Sequence, residues 1–460
     1  MFADICPVSN LPMSHTPAPA NPVTNIDQSN PHFKLAFDAL ENTSECLFIT
    51  GKAGTGKSTL LRHFVANTKK QVVVLAPTGI AAINAGGSTV HSFFRLPFRP
   101  IVQDDEEIHR FAKSTEKFKI LHKMDTLIID EVSMLRADLI DAIDQSLRVN
   151  GGHPDKPFGG KQVIFFGDLF QLEPVVQNNE VERYLFNEYY NSHYFFDARV
   201  FREAHLTCIE LRKVYRQSDP DFINLLDSVR LKKAGDQDLE RLNSRIDRYF
   251  EPTTEDLYVT LCTRNNIASG INEFELGKLG SVEYVYKGIV ENEFSMKQLP
   301  TEEILVLKEG AQVIFIKNHA TGKWVNGTIA KVHSLGPEKI EVQLPNGEIE
   351  EVMMETWENK IYRWDAVNRR VKSEVIGTFK QYPLKLAWAI TIHKSQGLTF
   401  DRMILEMGGG TFAHGQLYVA LSRCRSFEGL ILREPIRHKD MIIDDRVIRF
   451  AKEFASLEDS

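Results

Sequence analysis

The sequence predicts an α/β protein, with two lobes of parallel strands covered by helices and a small antiparallel barrel set into the second. Three observations predict it. Val72-Val73-Val74-Leu75, Thr126-Leu127-Ile128-Ile129 and Val163-Ile164-Phe165-Phe166 are apolar on both faces, as parallel strands covered by helices are. They alternate with helical stretches from Phe33 to about Gln217, the pattern of a doubly wound sheet. Further on, Lys323-Trp324-Val325-Asn326-Gly327-Thr328-Ile329 and Leu344-Pro345-Asn346-Gly347-Glu348-Ile349 place Asn-Gly between short alternating runs, which predicts tight hairpins with type I′ turns.

Taken in order, residues 1–31 are rich in Pro, Asn, Ser and Thr, and Met1 to Asn30 holds no Lys or Arg. Such a segment buries too little apolar surface to offset its ordering entropy, so it is expected to be a disordered tail. Its lack of basic residues argues against a signal or transit peptide, and cytoplasm is the default. Residues 32–217 form the first expected lobe, opening on the strand Cys46–Thr50 and a helix from Ser58. Residues 218–318 and 382–436 form the second, with strands at Leu257–Leu261 and Met403–Leu405 and a helix expected over Leu384–Ile392. The inserted unit is 319–381, and 437–460 is a helical C-terminal tail.

The chain of 460 residues is 43% hydrophobic and 25% charged, ordinary for a globular protein of several domains. No apolar run approaches the ~20 residues needed to cross a bilayer. Five scattered cysteines show no metal-ligand spacing and fit a reducing compartment. A net charge of −7 neither advertises nor excludes a nucleic-acid partner, because a local groove matters more than the sum.

The chemistry begins at Gly51-Lys52-Ala53-Gly54-Thr55-Gly56-Lys57-Ser58, which fits G-x-x-x-x-G-K-S/T between a strand and a helix. Its glycines let successive N–H groups, Gly54 through Thr59, turn toward phosphate oxygens at a helix N-terminus. Lys57 is placed for the β- and γ-phosphates and Ser58 for Mg²⁺, so the chain is expected to bind a nucleoside triphosphate. Strand Thr126–Ile129 ends in Asp130 and Glu131, one for the Mg²⁺ shell and the other to orient and deprotonate water. Gln171, three residues beyond Gly167-Asp168, is a candidate γ-phosphate sensor; Arg216 and Arg423 are candidate arginine fingers.

For nucleic acid, the candidates are Pro77, Thr78 and Gly79 after the second strand, then His91 and Phe93, and Thr391, His393, Lys394 and Ser395 on the other lobe. Small polar groups suit phosphates and aromatic faces suit bases. At least one of Phe93 and Phe94 is expected in the core, and His393 reads equally as a structural histidine.

As an ordered set, GKAGTGKS, APTGIAAINAGGSTVHSFF, IIDEVSM, FFGDLFQL, VYRQ, ITIHKSQGLTFD and LYVALSR resemble superfamily 1 helicases, above all the petite-integration-frequency (Pif) family of 5′-to-3′ DNA helicases. The resemblance covers about Phe33 to Arg433, and the stretch Glu131 to Arg148 is similar to that family's signature helix. It implies two RecA-like lobes with ATP between them, single-stranded DNA across their tops, an SH3-like insertion, and a duplex-splitting wedge within 95–118. It also implies that Gln171 couples the γ-phosphate to DNA, that Arg216 and Arg423 touch that phosphate, and that Gly397 borders the nucleotide. Thr78, His91, His393 and Ser395 stand where the family touches the DNA backbone. The implied roles are DNA replication, repair or recombination, on tailed or forked duplex and on G-quadruplexes, as in telomere maintenance, or RNA–DNA hybrids, by a monomer beside the nucleoid. One departure is plain: the adenine-reading glutamine ahead of the phosphate loop is missing from Asn30-Pro31-His32-Phe33-Lys34-Leu35, leaving Gln28 as the candidate. Two alternatives stay open, a RecD-type subunit of a larger helicase–nuclease and a DNA-binding ATP switch that does not unwind.

Overall fold

The computed structural model describes residues 27 and 29–458, other than 103, 104, 107, 177–179, 254, 255, 297, 298, 366 and 369. Gln28 and the tail to residue 26 therefore lie outside the described residues. The first lobe carries β1 (Cys46–Gly51), β2 (Val72–Ala76), β3 (Ser88–Thr89), β4 (Thr126–Ile129), β5 (Gln162–Phe166) and β6 (Leu206–Leu211). They form one parallel sheet in the order β3-β2-β4-β5-β1-β6, with Leu47 opposite Ile164 and Phe48 opposite Cys208. Successive residues feed two cores, as strand alternation requires. Phe48, Val73, Leu127 and Phe165 pack on one face; Leu47, Ile49, Val74, Ile128 and Ile164 pack on the other.

Helices cover both faces. α1 (Pro31–Asn42) and α2 (Lys57–Asn67) cover the second face through Phe33, Leu40, Leu60 and Phe64. α1 starts where it does because the Asn30 side chain caps the His32 N–H and Pro31 takes the first turn. α3 (Gly79–Ala85) and α4 (Val90–Phe94) are short turns capped by the Thr78 and Thr89 hydroxyls. α5 (Glu116–Lys123) and α6 (Ala137–Gly151) pack on the first face through Ile120, Leu121, Ile140 and Leu147. Between α4 and α5 the chain runs over α6, where the Ile101 N–H donates to Asp138 and the Phe111 N–H to Asn150.

After β7 (Val259–Cys262) the chain turns to antiparallel pairing. It runs through β8 (Glu283–Lys287), β9 (Ile289–Asn292), β10 (Ile304–Lys308), β11 (Gln312–Phe315) and β12 (Ile329–Gly336). β13 (Lys339–Gln343), β14 (Ile349–Val352), β15 (Glu355–Asp365), β16 (Arg370–Gln381) and β17 (Leu384–Leu386) follow. The central sheet is β14-β13-β12-β11-β17, over a separate core that includes Val313, Phe315, Val332, Ile340 and Leu384. The antiparallel strands thus reach beyond the expected 319–381 segment at both ends. The chain then returns to the parallel mode with β18 (Ala389–Thr391), β19 (Met403–Glu406) and β20 (Leu430–Leu432), in the order β18-β7-β19-β20.

Two local expectations are corrected. Leu384–Ile392 is not a helix: β17 pairs with β11 and β18 with β7, and the Asn272 side chain clamps both backbone groups of Ala389. Two sheets claim those backbone groups, and tertiary pairing overrides the helix-forming side chains. Neither Asn-Gly makes a type I′ turn, since Asn326 and Asn346 both keep negative φ. Pro345 fixes a type I geometry and Gly347 (φ +86°) follows in the left-handed region, giving a three-residue hairpin between β13 and β14. Gly327 (φ +97°) instead closes a turn from Val325 to Thr328 inside the long β11–β12 connection.

Candidate active site between the lobes

β1 ends at Gly51, and the loop 51–56 turns back to start α2 at Lys57. Gly54 holds φ +81°, and a Cβ there would lie 2.5 Å from the Cβ of Arg216, so only glycine lets the loop pass so close. The Tyr215 N–H donates to the Gly54 carbonyl at 2.8 Å, tying the segment that carries the arginine to the loop. The Lys57 ammonium folds back on the carbonyls of Gly51 (2.6 Å) and Lys52 (3.1 Å). Burial pulls its pKa down, while Asp168 and Glu131 pull it back up.

A cavity of about 660 Å³ opens above this loop, lined by Gly54, Thr55, Gly56, Lys57, Ser58 and Thr59 from the first lobe, with Glu131 and Gln171. Arg216, Tyr215 and Ser218 come from the connection, and Gly397, Thr399, Arg423 and Arg425 from the second lobe. Thus the phosphate loop, one of the two β4 carboxylates, the sensor candidate and both arginines meet at one place. Asp130 stands just behind, accepting the Glu131 N–H at 2.9 Å. Glu131 sits at φ +52°, an unusual left-handed conformation that costs energy and turns its carboxyl into the cleft. Burial and the neighbouring Asp130 push the Glu131 carboxyl up to about 7; burial raises Asp130 too. A half-buried carboxylate pair, with the Ser58 hydroxyl on the cavity that Glu131 lines, is a donor set that fits a divalent cation.

Arg423 is buried and Arg216 half-buried, and both are short of anionic partners. Arg423 is 1% exposed and donates to the carbonyls of Val419 and Leu398 and to the Ser422 hydroxyl. Burial, then Arg216, brings its pKa down to about 9; burial lowers Arg216 as well. Arg216 donates to the Ser422 carbonyl at 3.3 Å. Among the described residues neither arginine forms an ion pair with a carboxylate. Two uncompensated guanidinium groups at the mouth of a phosphate loop attract a polyanion.

Several contributors escaped the sequence. The Gln396 amide bridges the lobes, donating to Glu131 (3.2 Å) and to the Gln171 side-chain oxygen (3.3 Å). Gln171 in turn donates to Asp168 at 3.2 Å. Asp168 is buried against Arg230 (3.1 Å), whose guanidinium lies 4.2 Å from the centre of the Phe170 ring. Burial would raise Asp168, but Arg230 and Lys57 outweigh it and hold it below the ordinary range. Gln396 stood inside a recognised motif; Arg230, on the helix Pro220–Arg230, carried no signal.

The nucleic-acid candidates divide. Thr78 is exposed and caps α3 through the Ala81 N–H, with Pro77 and Gly79 half-buried beside it. The His91 ring stacks on Phe98 at 4.5 Å, and Phe98 is 89% exposed; burial, then Arg136, lowers the His91 pKa. Phe93, expected as a stacking face, is 1% exposed in the core against Phe94 and Tyr362, so it cannot meet a base. His393 and Lys394 are exposed, whereas Thr391 and Ser395 are buried. Ser395 donates to the Ile392 carbonyl at 2.7 Å, and Thr391 accepts the Lys394 N–H, so both hydroxyls engage the backbone of the turn.

Comparison with known proteins is consistent along the chain. The model of the "PIF1-like helicase" family matches residues 25–239. The chain is 32% identical over 444 residues to the "ATP-dependent DNA helicase Pif1" of Bdellovibrio bacteriovorus, covering 95% of this chain and 94% of that protein. It is 33% identical to the "ATP-dependent DNA helicase PIF1" of Rattus norvegicus, over 84% of this chain and 58% of that longer protein. Among solved structures, Bacteroides sp. Pif1 in complex with ADP–AlF4 superposes with TM-score 0.86 at 37% identity, over 93% of this chain and 97% of that one. Bacteroides Pif1 bound to single-stranded DNA, also 37% identical with the same coverage, superposes at 0.65.

Proposed function

This chain belongs to the PIF1-like helicase family, and from that premise we propose that it is an ATP-dependent DNA helicase that tracks along single-stranded DNA in the 5′-to-3′ direction and separates duplex ahead of it. The observation that carries the reading is the cavity in which the first lobe's phosphate loop and Glu131 face arginines from the connection and the second lobe. Hydrolysis at such a seam changes what holds the lobes together, which converts chemistry into relative motion.

The residues divide the work as follows. The loop N–H groups and Lys57 take the phosphates, and the nucleotide's arrival draws Lys57 off its own carbonyls. Glu131 orients the attacking water and accepts its proton, a role suited to a carboxyl raised toward neutrality. Arg216 and Arg423 meet the charge spreading over the γ-oxygens, a contribution of about 10³–10⁵ in rate for a finger. Gln171 and Gln396 stand between that phosphate and the second lobe. Ser58 and Asp130 would hold Mg²⁺, which supplies charge neutralisation on the β- and γ-phosphates when bound.

For DNA, exposed Thr78 and the α3 N-terminus on one lobe, and His393 and Lys394 on the other, support a backbone track across both. The reading extends to tailed or forked duplex, G-quadruplexes or RNA–DNA hybrids, a monomer in solution and work beside the nucleoid in the cytoplasm. The test is ATP-driven separation of two matched partial duplexes, one with a 5′ single-stranded tail and one with a 3′ tail. Separation of the 5′-tailed duplex alone is expected. Separation of the 3′-tailed duplex alone overturns the polarity, and ATP consumption with neither separated supports an ATP switch instead.

A further inference from the structure

Tyr418 sits on the helix Gln416–Leu421, immediately ahead of Arg423, and is 2% exposed. Its hydroxyl accepts the N–H of Ala53, inside the phosphate loop, at 2.9 Å. The same hydroxyl donates toward Asp168 at 3.5 Å. One O–H and two lone pairs allow both bonds at once. Asp168 distributes the rest: one oxygen takes Arg230 (3.1 Å) and the Phe170 N–H (3.2 Å), the other takes the Gln171 amide (3.2 Å). An ionised carboxylate only accepts, so Asp168 fixes which end of the Gln171 amide faces it and leaves the oxygen end for Gln396.

Ala53 belongs to the first lobe and Tyr418 to the second, 365 residues apart. Ala53 is 7% exposed, so without the hydroxyl its N–H is buried and unpartnered. Separation of the lobes breaks this bond, and closure remakes it. We propose that Tyr418 is a positioning residue that makes the geometry of the phosphate loop and of Gln171 depend on lobe closure, so that turnover waits for the second lobe to dock. The inference rests on the helicase reading and adds to it a route by which a closed DNA track is felt at the phosphate loop.

The test is Tyr418→Phe, which keeps the ring and removes one oxygen. ATP hydrolysis is measured with saturating oligo-dT, together with single-strand affinity and the thermal midpoint. A fall in kcat of about tenfold is expected, with the KM for ATP and the Kd for oligo-dT within about twofold of wild type, the split expected when an interaction acts in the transition state alone. Full turnover in the variant overturns the proposal. So does a raised KM at unchanged kcat, which would make the hydroxyl a plain binding contact, or a loss of turnover that tracks a loss of folded protein. Wild-type chain with no DNA-stimulated turnover in the same assay would strike the helicase reading itself, whereas wild-type turnover that the variant keeps in full strikes only the positioning role.

Discussion

Gly54→Ala places one methyl group where the cleft has no room for it. The added Cβ would lie 2.5 Å from the Arg216 Cβ and 3.3 Å from its backbone nitrogen. Carbon atoms pack comfortably at about 3.5–4.0 Å, so relief takes a displacement of about 1 Å. The loop and the arginine's segment are joined by the Tyr215 N–H to Gly54 carbonyl bond, so moving one drags the other. Misplacing a catalytic group by about 1 Å costs on the order of 10²-fold in rate, or about 2.7 kcal/mol in the barrier. The left-handed backbone adds a strain of roughly 1–2 kcal/mol to folding. Steady-state ATP hydrolysis with oligo-dT is therefore expected to lose about 10² in kcat, while single-strand binding is retained. Gly347→Ala is the control: it has a similar positive φ (+86°) but open space around it. That variant carries the strain without the clash and should turn over normally. A Gly54→Ala kcat within threefold of wild type would refute the placement of Arg216.

Two further outcomes follow from the same geometry. Lys57→Ala removes the phosphate-loop ammonium that lines the cavity and should lower ATP turnover by about 10³-fold or more while some DNA binding remains; normal turnover would sink the phosphate-loop assignment. Affinity for single strands, titrated from low to high salt, should fall with a log–log slope of about −0.7 per phosphate contact, and a salt-independent affinity would argue against a backbone track.

The parts of the fold written in local pattern were legible. Predominantly apolar runs marked β2, β4 and β5 because a strand covered on both faces is apolar on both. The phosphate loop was legible because its glycines answer to backbone geometry within a few residues. Leu384–Ile392 misled because its partners, β11 and β7, lie about 70 and about 130 residues upstream, and no local preference records them. Phe93 misled for the opposite reason. Beside half-buried His91 it reads as a surface ring, yet the helical turn carries it inward under Tyr362. Arg230 and Tyr418 were invisible as site residues because burial of a charge or a hydroxyl is a tertiary fact, created 62 and 250 residues away from Asp168.

That distribution says where the motor's adjustable parts lie. The two Bacteroides Pif1 structures are each 37% identical to this chain over the same share of it, yet one superposes at 0.86 and the other, bound to single-stranded DNA, at 0.65, so the gap reflects arrangement of parts more than divergence. The chain's arrangement is the former. A comparable rearrangement here would break bonds between distant segments: Gln396 to Glu131, Gln217 to the carbonyls of Ser422 and Cys424, and the Tyr362 hydroxyl to the backbone of Val74. Each contributes about 0.5–3 kcal/mol net, the charged contact with Glu131 at the upper end. Held singly they are weak enough for a nucleotide or a DNA strand to exchange; held together they define the closed state. The central strands β2, β4 and β5, by contrast, are buried in close-packed surroundings and change only by unfolding. The long-range bonds that the sequence hides are therefore the ones that the cycle must make and break.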